Sequence, residues 1–342
     1  MREYPSYGFR PARGLGSDTT CTESREDVPP RTSGVSSRPA ACGVEDAVTD
    51  EPRYETYDPS KHDRDTPQST FGPVVRVDKV EDGRIHVITM NRPHRMNAIG
   101  DGMGEALYDA WIDFRDDSKA RVAILTGAGD RAFCAGADLL NAAARTREPQ
   151  ATNPSEALAR RNAGDAKHWI PLAEKLGVWK PTIAAINGFA IAGGFQFAMQ
   201  CDIRVMSETA RVGIAEARWN ITAAHWAIPL TRQIGLGPAL ELTLWGDTLF
   251  DAQRCYQLGW ANRVAPPGEL MDTAMEYAHR ALDMAPRAVR NMKEAMYRGY
   301  YMDPILGEAF GGALEANLAG MQDSIEGPRA FAEKRRPNFT DS

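Results

Sequence analysis

The sequence predicts a parallel α/β core over residues 73–267, followed by a helical segment over 268–342 and preceded by a tail, residues 1–72, without regular structure. Three observations carry this. From Val74 onward, short apolar runs rich in β-branched residues alternate with helix-period patterns, the order that lays strands side by side in a parallel sheet. Beyond Pro267 only the helical period remains, and before Val74 neither period is present.

The tail is rich in Pro, Ser, Thr, Arg and acidic residues and poor in aliphatics. It cannot bury enough apolar surface to offset its ordering entropy, so it reads as disordered. Arg2, Arg10 and Arg13 hint at an organelle presequence, but Glu3 and Asp18 interrupt the acid-free amphipathic helix that one needs, and no apolar signal core follows. A start codon set too far upstream and a regulatory tail would both give this composition.

Val74–Val80 and Ile85–Asn91 flank Glu81-Asp82-Gly83, a turn signal, and read as a hairpin. Asp101–Asp116 follows as an amphipathic helix with Met103, Leu107, Ala110, Trp111 and Phe114 on one side. Val122–Thr126 closes the first strand-helix-strand unit. A loop and helical region from about Glu156 to Leu176 leads to the central strand Thr182–Asn187, with Trp169 and Trp179 as pocket or core aromatics. A further short strand is expected at Arg211–Gly213. The helical segment divides into Glu269–Met284, Pro286–Met302, Pro304–Ala319 and Ser324–Lys334, with Pro286 and Pro304 in first turns, where proline is tolerated.

The 342 residues, 43% hydrophobic, suffice for one large domain or two small ones. A net charge of -6 argues against a nucleic-acid surface, which needs clustered Lys and Arg. No apolar run reaches membrane-spanning length, so no membrane partner is expected. Cys21, Cys42, Cys134, Cys201 and Cys255 form no CxxC pair and no even framework, which fits a reducing, cytoplasmic setting. Nothing has metal-ligand spacing, and no Ser/His/Asp triad is legible.

Chemistry concentrates in two bends. The central strand runs into a Gly-interrupted turn and then a helix beginning at Gly193-Gly194. A helix start exposes unpaired N–H groups backed by the positive end of the dipole, and glycine leaves room for a bulky ligand. Upstream, the strand Val122–Thr126 runs through a Gly/Asp turn into Ala135-Gly136-Ala137-Asp138, a second small-residue loop able to aim an N–H outward. Two such loops after parallel strands can converge on one oxygen that carries developing negative charge. A tight turn with no ligand is the plainer reading of either loop alone. Cys134 beside the second loop reads as a small buried cysteine rather than a nucleophile.

Four pieces in order, ITMNRPHRMNAI (88–99), AFCAGADL (132–139), INGFAIAGGFQFAMQCDI (186–203) and EGPRAFAEKRRPNF (326–339), give the chain from Val74 onward a resemblance to the enoyl-CoA hydratase/isomerase family, also called crotonases. The resemblance implies a spiral of ββα units with a C-terminal helical trimerisation region. It also implies an acyl-CoA substrate, no cofactor beyond the coenzyme A moiety, and a homotrimer or dimer of trimers.

Matched to the family, Ala137 and Gly193 supply the two N–H groups that hold the thioester oxygen as an enolate forms. In typical hydratases one glutamate stands three residues after the oxyanion glycine and a second twenty residues further on; here those positions hold Gln196 and Glu216. Glu216, raised in pKa by an apolar pocket, would carry the proton. Gln196 can bond a water but cannot move a proton near neutral pH. It therefore favours isomerisation of a 3-enoyl to a 2-enoyl thioester, which needs one base. Hydration by a single glutamate also occurs among relatives, and Ala224 matches a position whose N–H helps hold the water, so both reactions stay open.

Arg95, with Met96 and Ala98 acting through the backbone, matches the loop that holds the CoA adenosine, and Ala135 is counted with them as a CoA-binding position. Asp138 reads as a helix cap or a site contact, and Asp202 as structural. His225 and Trp226 follow Glu216 closely enough to enter the acyl pocket, and Trp169, Trp179, Trp219 and Trp226 are the aromatics expected to shape it. Phe331 and Lys334 match positions that reach CoA from a neighbouring helix or subunit. A thioester hydrolase on the same fold and a catalytically silent CoA-binding scaffold trimer are the rival readings.

Overall fold

A computed structural model describes residues 66–139, Ser155 and 172–342. Residues 1–65 of the expected tail, Cys21 and Cys42, and the region from Glu156 to Pro171 with Trp169 lie outside the described residues. The end of the tail is attached to the core. Phe71 stacks on His94 with ring centroids 4.6 Å apart, and Asn91 Nδ2 donates to the Phe71 carbonyl at 2.7 Å.

The first hairpin forms as its turn signal requires, with β1 (Val75–Val80) antiparallel to β2 (Ile85–Met90). Helix α1 (Met103–Asp116) buries the face its periodicity marks, Met103, Leu107, Ala110, Trp111 and Phe114. The chain then repeats one unit three times: a strand in one sheet, a bend, and a short strand in a second sheet. The pairs are β3 (Val122–Gly127) with β4 (Ala132–Cys134), β5 (Thr182–Ile186) with β6 (Phe189–Ile191), and β7 (Ile203–Ser207) with β8 (Arg211–Gly213). Helix α2 (Gly193–Gln200) follows β6. The six-stranded sheet has the order β1-β2-β3-β5-β7-β10, parallel from β2 onward and completed by β10 (Arg263–Ala265). In the four-stranded sheet β4, β6 and β8 run parallel and β9 (Phe250–Asp251) closes the edge antiparallel.

Two of these strands replace expected loops. Alone, Ala132–Cys134 and Phe189–Ile191 are three residues each among glycines and alanines, with no strand period to read. They are strands because each finds a ladder partner one turn away in the spiral, Ala132 opposite Phe189 and Phe189 opposite Arg211.

Alternation along the larger sheet builds two cores. Ala123, Leu125, Ala184, Ile186 and Met206 face the second sheet and α1, together with Phe133, Phe195 and Trp260. Val122, Ile124, Ile183, Ala185 and Val205 face the opposite way and are covered by Leu270, Ala274 and Ala278 of α7 (Leu270–Leu282). Between β8 and β10 lie α3 (Ala224–Ala227), α4 (Leu230–Ile234), α5 (Leu236–Leu244) and α6 (Ala252–Gln257). After α7 come α8 (Pro286–Gly299), α9 (Pro304–Ala316) and α10 (Gln322–Ala332), with Pro286 and Pro304 at helix starts as expected. Asp202 ties α8 to the sheet: it accepts from the Thr182 N–H at 2.7 Å and the Tyr297 hydroxyl at 2.9 Å and pairs with Lys293 at 2.7 Å. No helix among the described residues is long and apolar enough to cross a membrane.

Successive turns of the spiral touch backbone to backbone. A Cβ built on Gly194 would lie 2.0 Å from the Cys134 carbonyl oxygen, and nothing short of moving β4 or α2 would relieve it. Gly237 in α5 has open space around the same position. Gly194→Ala should therefore destabilise the protein by about 2–3 kcal/mol through overpacking. Gly237→Ala should be neutral or stabilise by about 0.5–1 kcal/mol. Chemical denaturation midpoints of the two variants check the contrast; equal midpoints would contradict this packing.

Candidate active site

The two bends meet. In the upstream loop Ile99 N–H donates to the Gly136 carbonyl at 2.8 Å and Asp138 N–H donates to the Ile99 carbonyl at 3.0 Å, a parallel bridge centred on Ala137. Such a bridge uses the groups on either side of its central residue, so the N–H of Ala137 itself turns away from Ile99. Gly136 sits directly on the second bend: a Cβ there would lie 2.8 Å from the Ala192 Cβ and 3.3 Å from the Gly193 nitrogen. Ala192 holds φ 55° and ψ -121°, a conformation that costs a non-glycine residue on the order of 1–3 kcal/mol. It is fixed there because its N–H donates to the Gly213 carbonyl at 2.9 Å while its own carbonyl accepts from Gln196 N–H at 3.0 Å. The result frees Gly193 N–H at the start of α2. Neither Ala137 N–H nor Gly193 N–H has an acceptor among the described residues.

Two acceptors accompany these donors. Gln196 lies one turn into α2 and is 2% exposed; its Oε1 is buried with no hydrogen-bond partner among the described residues. Glu216 begins the 3-10 turn Glu216–Trp219 that follows β8, and its Oε2 is likewise buried and unpartnered. The ladder of β6 and β8 sets Ile191 beside Gly213, so Gly193 and Glu216 leave the carboxyl ends of neighbouring parallel strands, where α/β sheets hold ligands. Burial raises the Glu216 pKa above its usual value, and a bond from its own backbone N–H offsets part of that rise. Buried polar atoms without partners are rare, since each costs about 1–3 kcal/mol. One amide oxygen, one carboxylate oxygen and two N–H groups on these adjoining elements are thus left without partners among the described residues.

The loop assigned to CoA is built by residues that sequence reasoning passed over. Asn97 accepts from Arg92 N–H at 2.9 Å and donates to the carbonyls of Ala128 at 3.0 Å and Ala132 at 2.7 Å. The guanidinium of Arg92 is buried, bonded to the Ala98 carbonyl, to Asp101 and to Asp138. A charged residue inside the apolar start of the first motif was the signal for this. Asp138 therefore braces the loop that carries Ala137 through Arg92. Arg95 and Met96 are half-buried and Ala98 is buried. The N–H groups of Met96 and Ala98 are committed within the loop, to Pro93 and Arg95, and the Met96 carbonyl accepts from Ala135 N–H at 3.0 Å.

Other assignments divide. Cys134 is wholly buried, and burial pushes its thiol up to about 12, which leaves no thiolate for attack. Ala224 N–H, expected to help hold a water, donates instead to the Thr222 hydroxyl at 3.1 Å, because the chain turns tightly there into α3. Trp179 faces the helical segment rather than a pocket: it packs edge-on against Tyr297, with the Arg298 guanidinium 5.1 Å from its ring centroid. Trp226 is core, beside Phe195, which stacks on Trp260. Trp219 and His225 are exposed. Phe331, 87% exposed, and Lys334 stand at the far end of α10 in the single chain.

Residues 81–342 match the enoyl-CoA hydratase/isomerase family. An (E)-benzylidenesuccinyl-CoA hydratase of Thauera aromatica is 32% identical over 253 residues, covering 74% of this chain and 94% of that protein. A short-chain-enoyl-CoA hydratase of Clostridium acetobutylicum is 34% identical over 257 residues, covering 75% and 94%. The crystal structure of an enoyl-CoA hydratase from Bacillus anthracis aligns with a TM-score of 0.70 at 31% identity, covering 79% of this chain and 100% of that one. The match begins at the turn of the first hairpin and takes in both bends, Gln196, Glu216 and the last helix, and so this chain belongs to the enoyl-CoA hydratase/isomerase family of acyl-CoA enzymes.

Proposed function

We propose that this enzyme adds water across the 2,3 double bond of a 2-enoyl-CoA thioester, with Glu216 as the one group that moves a proton. The observation that carries this reading is the pair of unpartnered buried acceptors, Gln196 Oε1 and Glu216 Oε2. A water molecule has two hydrogens, and two acceptors of this kind can take one each. The attacking lone pair is then left free for the β carbon. As the C–O bond forms, the π electrons move to the thioester oxygen, which Ala137 N–H and Gly193 N–H receive. Each such donor contributes roughly 3 kcal/mol to the barrier reduction. Glu216 takes the proton from the water and returns it to the α carbon, so charge and atoms balance with no group beyond the coenzyme A moiety. The names of the relatives, hydratases of enoyl thioesters, support the same direction. Isomerisation of a 3-enoyl thioester is the second reading, favoured by the inability of Gln196 to exchange a proton.

The assembly proposed is a homotrimer or a dimer of trimers. Its support is the apolar surface left open on the helical segment, Met292, Met296, Tyr300, Ile305 and Leu306. A cytoplasmic setting is supported by Cys134, Cys201 and Cys255, all buried free thiols.

Glu216→Gln should lower kcat for 2-enoyl-CoA about a thousandfold, by loss of the proton carrier, while acyl-CoA still binds. Turnover that is unchanged by the substitution or absent from both proteins would favour a silent scaffold, and release of free CoA thiol from a saturated acyl-CoA would favour a hydrolase. Because the working form is the carboxylate and burial raises its pKa, hydration should climb with pH through a midpoint above the ordinary glutamate value and then level off. The Glu216→Gln variant should lose that limb.

Gln196→Met keeps the volume and removes the acceptor. Hydration should fall about 10–100-fold, the loss of one bond to the attacking water, while isomerisation of a 3-enoyl thioester stays within a few fold. Parallel loss of both activities would remove the water-holding role. Sedimentation equilibrium should give three or six chains per particle; a monomer would contradict the proposed assembly.

A further inference from the structure

After α10 the chain reverses at Lys334, where φ is 55°, and runs back along the helix it has just left. Glu326 fastens the returning strand. It takes a bidentate bond from Arg335 at 2.6 and 2.8 Å and accepts the Asn338 N–H at 2.7 Å. Asp323, buried in the first turn of α10, fastens it again further on, accepting the N–H groups of Thr340 and Asp341, each at 2.8 Å. Helix and tail thus form a hairpin with Phe331 and Lys334 at its exposed apex and Asp323 and Asp341 at its base.

The base is held by charge. Asp341 receives a bidentate bond from Arg290 of α8 at 2.8 and 2.7 Å, Arg121 at the foot of β3 lies 3.3 Å away, and Arg287 lies 4.0 Å away. The buried Arg121 Nη1 and Arg287 Nε have no hydrogen-bond partner among the described residues, so their charge is directed at this carboxylate. Burial alone would raise the Asp341 pKa. The Arg290 bonds and the neighbouring arginine charges outweigh it and hold the carboxyl below its usual range. Arg290 is in turn on the helix that Lys293 and Tyr297 moor to Asp202 beside the central strand. The eleven residues of α10 span about 16 Å at 1.5 Å each. A small rotation at the base therefore becomes a displacement of several ångström at the apex.

We propose that Asp341 is a positioning residue for coenzyme A: clasped by Arg290 and Arg121, it sets the angle of the terminal hairpin and so places Phe331 and Lys334 against the nucleotide end of the thioester. The proposal rests on the acyl-CoA reading above and on the match of Phe331 and Lys334 to family positions that reach CoA. It is independent of the hydration step. Bidentate Arg–carboxylate pairs fix orientation as well as distance, which is the property a lever base needs.

The test measures the Kd for coenzyme A by calorimetry, alongside kcat and KM for crotonyl-CoA, in full-length protein. Asp341→Asn should weaken CoA binding and raise KM three- to tenfold with kcat within twofold. Arg290→Lys, a milder change that keeps a charge but loses the fork, should give a smaller shift of the same kind. Asp341→Asn combined with Arg290→Gln should be no worse than Arg290→Gln alone, because both act through one clasp. Lys334→Ala should weaken CoA binding directly. If Lys334→Ala weakens CoA and Asp341→Asn does not, or if Asp341→Asn lowers kcat in step with CoA affinity, the lever is overturned and the acyl-CoA reading stands. If Lys334→Ala has no effect on CoA, the apex does not meet the nucleotide and the lever falls with it. If wild type fails to hydrate crotonyl-CoA while Asp341→Asn still weakens CoA, hydration falls and the lever stands.

Discussion

The backbone of α2 rests on the backbone of β4 with no side chain between them, and the chemistry of the site follows from that closeness. Gly194 lies where any Cβ would collide with the Cys134 carbonyl. Gly136 lies where a Cβ would strike Ala192. With both gaps closed, two bends that are more than fifty residues apart in sequence lie against each other, each carrying an N–H group without an acceptor among the described residues. No side chain could do this as rigidly, because a backbone donor inside a spiral has no rotamer to lose.

That rigidity has a cost that the cores offset. Ala192 is held at positive φ, and Gln196 Oε1 and Glu216 Oε2 are buried without partners. Each departure costs on the order of 1–3 kcal/mol, comparable to a sizeable share of a domain's net stability. The larger sheet is packed on both faces, by α7 on one side and by the second sheet with α1 on the other. A two-faced sheet of this kind is stable enough to keep strained and unpaired groups fixed in one place, which is what a preorganised site demands.

Period and punctuation made much of this legible in the sequence. The face of α1, the central strand, the start of α2 at Gly193 and the proline-marked helix starts all depend on local signals, and local signals suffice for them. The strands β4 and β6 depend on partners a full turn of the spiral away, so three residues of Ala, Phe, Cys or Ile carried no sign of them. The site divides the same way. Small residues at Ala137 and Gly193 mark a bend from sequence alone, but the bracing of Asp138 by Arg92 and the capture of Ala224 N–H by Thr222 are contacts that only packing decides. Trp179 shows the limit for aromatics: its neighbours are Tyr297 and Arg298, more than a hundred positions away.

Under the proposed reaction the neutral amide at position 196 matters as much as the glutamate does. Two carboxylates around one water would titrate as a coupled pair, one pKa rising at the expense of the other, so that an acid and a base coexist. With Gln196 in place, no second negative charge acts there, and burial is the main influence raising the Glu216 pKa. Under the proposed reaction the enzyme then starts from a single carboxylate, and the proton put on the α carbon must be the one that carboxylate has just removed from water. The buried Oε2 is suited to this, since an oxygen hidden from solvent can hold a proton through the short life of the enolate without exchanging it. In the same proposed reaction Gln196 would do what an amide can do and a second acid could not do at constant charge, accepting one hydrogen of the water at any working pH.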